Sequence, residues 1–225
     1  MPTYPLSKLK ARVNLGVLRS DVSLASNGYA DFINQAIKEL ADLRSFECMA
    51  TQVDVTILTG NKSIALPADF KELDARNTNG GPIAFVLIDP ANPGAVLPVQ
   101  AYFEAEELRR FFKFGGQLAI AFGEMRVFLK IDKNGASIGM ASPALENLTF
   151  RVDYFQYLPD LVDDADTSPL ADQYPEMVIA KAKALALASV NDGAAQGAEA
   201  MASVKFKEAS FKEARAQLAG RDLRM

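Results

Sequence analysis

The stretch from Leu148 to Val190 constrains this chain most. It opens with Leu148, Phe150, Val152 and Tyr154 alternating with Thr149, Arg151 and Asp153. Strand side chains point to opposite faces in turn, so this spacing predicts a strand with one buried face. The stretch closes with Met177 to Val190, where apolar residues occupy nearly every side of a helix. Such a helix has no wet face and has to be wrapped by other elements. Its small residues, Ala182, Ala184, Ala186 and Ala188, permit close approach. Two readings stay open: a core helix inside one subunit, or a helix with one side against another subunit. Between strand and helix lies an acidic crossing, Leu158-Pro159-Asp160-Leu161-Val162-Asp163-Asp164-Ala165-Asp166. Proline suits a first helical turn, where its missing N–H is not needed, so Ser168-Pro169 or Tyr174-Pro175-Glu176 marks the helix start.

The rest of the chain reads as partners for that strand and helix. Tyr29, Phe32, Ile33, Ala36, Ile37, Leu40 and Leu43 follow helical spacing, which predicts an amphipathic helix over 27–45 with Ser26 or Asn27 as its N-cap. Its stripe Phe32, Ile33, Ile37 and Leu40 is expected to be buried in a helical bundle. Residues 1–24 read as an arm or a short helix. From Cys48 the pattern changes. Val53, Val55 and Ile57 alternate with polar residues, Thr59-Gly60-Asn61-Lys62 reads as a turn, and Ser63 to Leu66 returns as the second strand of a hairpin. Ala68 to Leu73 reads as a helical turn. Further strands are expected at 83–88, 95–99, 118–122, 126–131 and 136–140, with a short helix at 104–112. Beyond the apolar helix, Asn191-Asp192-Gly193 is a stop, with Gly193 suited to a left-handed position. A last helix is expected over 196–218, with Val204, Phe211 and Leu218 recurring every seven residues, Glu208 paired to Lys212, and Gly220 as its end. The fold class is therefore α+β: a helical bundle from N-terminal and C-terminal helices, with a mostly antiparallel β module inserted between them. The divisions are 1–47, 48–158 and 159–225.

Composition narrows the function. A chain of 225 residues buries roughly 70% of its extended surface, so it needs neither disulfides nor metal to fold. The sequence contains no histidine, which removes the commonest general base, the commonest zinc ligand and every Ser-His or Cys-His nucleophile pair. The net charge of −4 gives no basic excess of the kind a dedicated nucleic-acid binder carries. The single cysteine, Cys48, cannot form an internal disulfide and fits a reducing compartment. No apolar run approaches the roughly 18–20 residues of a membrane span, and no signal-peptide core stands near Met1, so a soluble protein made in a cytoplasm is expected.

Three motifs invite chemistry and favour bland readings. Gly60-Asn61-Lys62-Ser63 lacks the glycines of a phosphate-binding loop and reads as a turn. Asp160, Asp163, Asp164 and Asp166 match no calcium-loop spacing and read as a solvated acidic loop. Glu104, Glu106 and Glu107 beside Arg109 and Arg110 read as an exposed helix face. No catalytic set and no cofactor motif emerge, and no metal or cofactor is expected for folding or assembly. An enzyme working with carboxylates alone remains the competing class.

In its order of parts the chain resembles the head-to-tail adaptor (connector) proteins of tailed bacteriophages. The parts are Ile33-Asn34-Gln35-Ala36-Ile37 followed by a β segment; Ile64-Ala65-Leu66-Pro67-Ala68-Asp69-Phe70-Lys71-Glu72-Leu73; and a strand ending near Tyr154. After these come the Leu158 to Leu161 crossing, Tyr174-Pro175-Glu176, an alanine-rich helix, and a second helix over Phe206 to Ala216. The resemblance implies a non-enzymatic virion part in the neck, assembled in the host cytoplasm. It implies a ring, commonly of twelve copies, that joins the portal protein to a tail, tail-tube or nozzle protein. Double-stranded DNA would pass non-specifically through its lumen, with no membrane involved. A tail terminator or other neck protein is the alternative. Within such a ring, Met177, Val178, Ile179, Leu185 and Leu187 are the subunit-interface candidates. Arg215, Arg221, Leu223 and Arg224 are the portal-contact candidates, on a long polar terminal segment. Asp160, Asp163, Asp164 and Asp166 are the lumen candidates, where like charge would keep DNA from sticking.

Overall fold

The computed structural model of the chain describes residues 3–18, 27–74, 85–88, 96–98, 100–102, 126–132, 135–140, 143–144, 146–190 and 192–222. They divide into two units: Met1–Met49 with Tyr157–Met225, and Ala50–Gln156. The fold is α+β, with helices in the first unit and sheets in the second. The expected helix at 104–112 and strand at 118–122 lie outside the described residues.

The helical unit is built around the apolar helix. The segment 1–24 contains a helix, α1 (Leu6–Val17), whose buried residues are Leu6, Leu9, Val13 and Val17. The second helix, α2 (Ala30–Leu43), buries Ala30, Ile33, Ala36, Ile37, Leu40 and Ala41. Ile33, Ile37 and Leu40 are thus where the sequence put them, whereas Phe32 is only half-buried and Leu43 is exposed. Asn27 does not hold the N-cap position of this helix, and Ser26 lies outside the described residues. Tyr29 holds the N-cap position in a left-handed conformation, at the end of a turn in which Asn27, Gly28 and Tyr29 all have positive φ. A left-handed tyrosine is costly, and this one is held by burial of its ring.

Both proline signals start helices. The short α3 (Pro169–Gln173) and the apolar α4 (Pro175–Ser189) each carry Pro in the first turn. α4 contacts α1, α2, α3 and α5 (Ala195–Asp222). It buries Met177, Val178, Ile179, Ala182, Ala184, Ala186 and Leu187, which cover most of its circumference. Lys181 Nζ on α4 reaches Glu39 of α2 at 3.1 Å and Glu199 of α5 at 3.0 Å. Burial works against its charge, yet the hydrogen bonds to Glu199 and Glu39 outweigh burial and raise its pKa. The half-exposed partners limit this tie to about 1 kcal/mol or less. After α4, Gly193 is not left-handed. The stop is made by Asp192, whose carboxylate accepts from the N–H of Ala194 at 2.9 Å. α5 runs through Gly220 to Asp222, past the expected end. Within α5, Glu208 bonds Lys205 at 2.8 Å rather than Lys212.

The β unit is organised by β9 (Leu148–Gln156), the predicted strand. One edge pairs along its length with β1 (Ala50–Ile57), in a register that sets Val53 opposite Val152, Val55 opposite Phe150 and Ile57 opposite Leu148. Its other edge is shared by β4 (Phe85–Ile88) and β3 (Phe70–Leu73), and β5 (Val96–Pro98) extends the sheet beyond β4. A second sheet runs in the order β2 (Ser63–Ala65), β8 (Gly135–Met140), β7 (Arg126–Asp132), β6 (Gln100–Tyr102), and only the β6–β7 pair is parallel. One core joins residues of both sheets: Val55, Ile57, Leu66, Phe70, Leu129, Ile138, Ala144, Phe150, Val152 and Tyr154.

Two local expectations fail here. β1 and β2 do not form a hairpin with each other; they pair with β9 and β8 in different sheets. A strand of eight residues gains more from nine-residue β9 than from a return strand of three. The loop between β1 and β2 instead bonds to Ala144, whose carbonyl accepts from Gly60 at 2.8 Å and whose N–H donates to Asn61 at 2.9 Å. Gly60, with φ of 85°, makes this turn possible. Ala68 to Leu73 is not a helical turn, because Phe70–Leu73 pairs with β9. The Phe70 and Tyr154 rings stack at 5.6 Å, and the Tyr154 hydroxyl donates to Asp69 at 3.1 Å.

Truncating a side chain buried at the centre of each unit should destabilise by roughly 2–5 kcal/mol. Ile33→Ala tests the bundle and Phe150→Ala the sheets, by denaturant unfolding. Phe32→Ala, at a half-buried position, should cost distinctly less than Ile33→Ala.

Candidate interaction surfaces

The candidate site residues divide sharply by location. Met177, Val178, Ile179 and Leu187 on α4 are buried within their own chain, and Leu185 is half-buried. α1, α2 and α5 contact this helix within the chain. Ala180, Lys183 and Leu185 keep part of their surface, and Glu176, Ala188 and Ser189 are exposed.

The acidic crossing is a built loop rather than a loose acidic string. Asn34 of α2 clamps Leu161 on both sides, its amide donating to the carbonyl at 3.0 Å and its oxygen accepting from the N–H at 2.9 Å. Leu161 itself is buried. The Asp166 carboxylate accepts from the N–H groups of Val162 and Asp163, each at 2.8 Å, and these bonds lower its pKa. Backbone carbonyls of Asp164 and Asp166 accept from Ser7 and Leu6 at the start of α1, at 3.1 and 2.8 Å. Lys10 pairs with Asp164 at 2.8 Å, and Lys38 with Asp160 at 2.8 Å. Three of the four aspartates therefore hold the loop or meet a lysine. Among the described residues, no group of three or more His, Cys, Asp or Glu is placed to hold a metal ion. Val162 stands out of this loop, 73% exposed.

α5 spans about 42 Å at 1.5 Å rise per residue over its 28 residues. Its inner face carries Ala202, Ala209 and Glu213, which are buried, and Phe206, which is half-buried. Its outer face carries Met201, Val204 and Phe211, at positions three and seven residues apart, with Phe211 80% exposed. The seven-residue recurrence of Val204 and Phe211 was legible in the sequence and marks the outward side. Arg215 is exposed on the same side. The side chain of Arg221, together with Leu223 and Arg224, lies outside the described residues. Between α4 and α5 runs a groove of about 170 Å³ lined by Glu176, Ile179, Ala180, Lys183, Ala198, Met201 and Lys205.

A buried polar cluster fixes α5 against the end of α2, and sequence reasoning missed it. Glu213 accepts from the backbone N–H of Glu47 through Oε1, while Oε2 lies 3.5 Å from Arg44 Nε. The Phe46 ring packs on Tyr174 at 5.2 Å and edge-on to Phe206 at 6.1 Å. Burial, and then the charge of Glu213, push the Tyr174 hydroxyl up to about 12. A lone Glu in a helix of alternating charge gives no sequence signal of burial.

Comparison with known proteins gives one assignment. The family model described as SU10 adaptor protein matches residues 4–225, nearly the whole chain. No curated protein matches the chain. No helix among the described residues is long and apolar enough to cross a membrane.

Tyr174 yields a pH prediction. A tyrosine raised from 10.0 to about 12 contributes stability that is complete below pH 10 and is lost as pH rises toward 12. In Glu213→Gln the Tyr174 midpoint should fall, while staying above the ordinary value because burial is the larger cause. Ultraviolet titration of tyrosinate reads both. The substitution also weakens the bond from the Glu47 N–H to the buried Glu213 side chain and should cost roughly 1–3 kcal/mol.

Proposed function

The chain belongs to the SU10 adaptor protein family, and on that premise we propose that it forms a closed ring joining the portal to the tail, with DNA passing through the lumen. The family is one of phage head-to-tail adaptors, structural components of the virion neck that associate with other neck and tail proteins; it is not an enzyme family. The ring, its copy number, the portal joint and assembly in the host cytoplasm are our reading.

One observation carries the ring. α5 turns Met201, Val204 and Phe211 to solvent, although Phe206 faces inward. A helix that keeps three large apolar groups on the outside leaves a surface for a partner. A ring needs two different faces on each subunit, meeting at a fixed rotation. We place the wall of that ring at the outer face of α5 rather than at α4, because most apolar side chains of α4 are buried in their own chain. Arg215, Arg221, Leu223 and Arg224 remain our candidates for the portal contact, because α5 runs on to Asp222 and this stretch of sequence carries three arginines. The crossing aspartates are not assigned to the lumen. Asp160 and Asp164 give their charge to Lys38 and Lys10, and Asp166 binds its own loop. The chain's net charge of −4 is itself enough to disfavour adhesion of passing DNA.

The mass of the purified protein, alone and mixed with the portal protein, tests the reading. A closed assembly of one definite size is expected, and Phe211→Asp should abolish it without changing the unfolding transition of the subunit. A species of 24.4 kDa both alone and with the portal would overturn it.

A further inference from the structure

Two exposed patches on the helical unit are complementary in shape of exposure and in charge. The first is the outer face of α5. Phe211, at one turn's spacing, neighbours Lys207, Glu208, Ala214 and Arg215. Glu208 is occupied by Lys205, and among the described residues Lys207 and Arg215 have no acidic partner. The patch is an aromatic ring in a basic setting. The second is the acidic crossing, where Val162 stands exposed beside Asp163 and Asp164, with exposed Tyr157 in the same segment. The loop beneath it is rigid, held by Asn34, Asp166 and the start of α1.

Neither patch covers the other within one chain, since Phe211 and Val162 both stand exposed. We propose that the outer face of α5 docks on the acidic crossing of a second copy, Phe211 against Val162, with Lys207 and Arg215 facing Asp163, the crossing aspartate whose carboxylate, among the described residues, neither meets a lysine nor holds the loop. Opposite charge around an apolar contact fixes register and rejects wrong pairings. The contact is heterologous: each copy offers α5 to one neighbour and its crossing to the other, so it propagates and closes only if the rotation per subunit allows it. The inference rests on the ring reading for its closure, not for the contact itself.

Disulfide trapping separates the two. In a Cys48→Ser background, Val162→Cys chains and Phe211→Cys chains are oxidised with copper-phenanthroline, apart and mixed. Both positions are exposed, so the subunit fold should survive, as its unfolding transition would verify. A cross-linked dimer in the mixture and none in either parent is the expected result. Lys207→Glu with Arg215→Glu should remove the cross-link, and adding Asp163→Lys on the other chain should restore it. A dimer from Phe211→Cys chains alone means a two-fold contact and overturns the proposal. So does the absence of any cross-link in the mixture, whether the native protein is a definite oligomer, which leaves the ring intact, or a monomer with the portal, which removes both. The double variant Val162→Cys/Phe211→Cys reads closure: a ladder ending at one size supports contact and ring together, and an unending ladder keeps the contact and refutes the ring.

Discussion

The burial of α4 governs the helical unit. A helix with Met177, Val178, Ile179, Ala182, Ala184, Ala186 and Leu187 spread around its axis has to be enclosed on several sides. Removal of that apolar surface from water, at roughly 25 cal/mol per Å², drives the enclosure. α1 contributes Leu9 and Val13, α2 contributes Ile33, Ile37 and Leu40, and α5 contributes Ala202 and Ala209. The alanines let α5 approach closely. Most of its apolar side chains are consumed as core, so we place the assembly surface outside it. Once α5 meets α4 through its small residues, Met201, Val204 and Phe211 are left pointing away.

The β unit depends on a comparable choice. β9 has two usable edges and alternating apolar residues, so β1, β3 and β4 all pair with it. A local hairpin between β1 and β2 would close a shorter loop at less entropic cost. It loses because eight aligned cross-strand positions, among them Val55 with Phe150, outweigh what three-residue β2 can offer.

Much of this fold was legible in the sequence, and the misses have physical causes. Periodicity found α2 and β9, because each has one buried face, and an apolar run on nearly every side found α4. It could not rank local against distant strand pairing. It could not find the Asn34 clamp on Leu161 or the Glu213 bond to Glu47, since each joins residues far apart in the chain. For the candidate surfaces, the heptad spacing of Val204 and Phe211 was visible but its direction was not. A stripe of large apolar residues ordinarily faces a core, and here it is the opposite stripe, Ala202, Phe206, Ala209 and Glu213, that faces inward. The crossing aspartates looked like free charge because their lysines, Lys10 and Lys38, lie more than a hundred residues earlier.

The central claim is that α4 is the subunit's own core and that the outer face of α5 and the acidic crossing are what assembly covers. Amide hydrogen exchange of the free subunit and of the assembled neck protein tests it directly. The account predicts that Met177 to Leu187 exchange slowest in the free subunit and unchanged on assembly, while residues 201–215 and 160–166 gain protection. Protection of Met177 to Leu187 that arises only on assembly would contradict it.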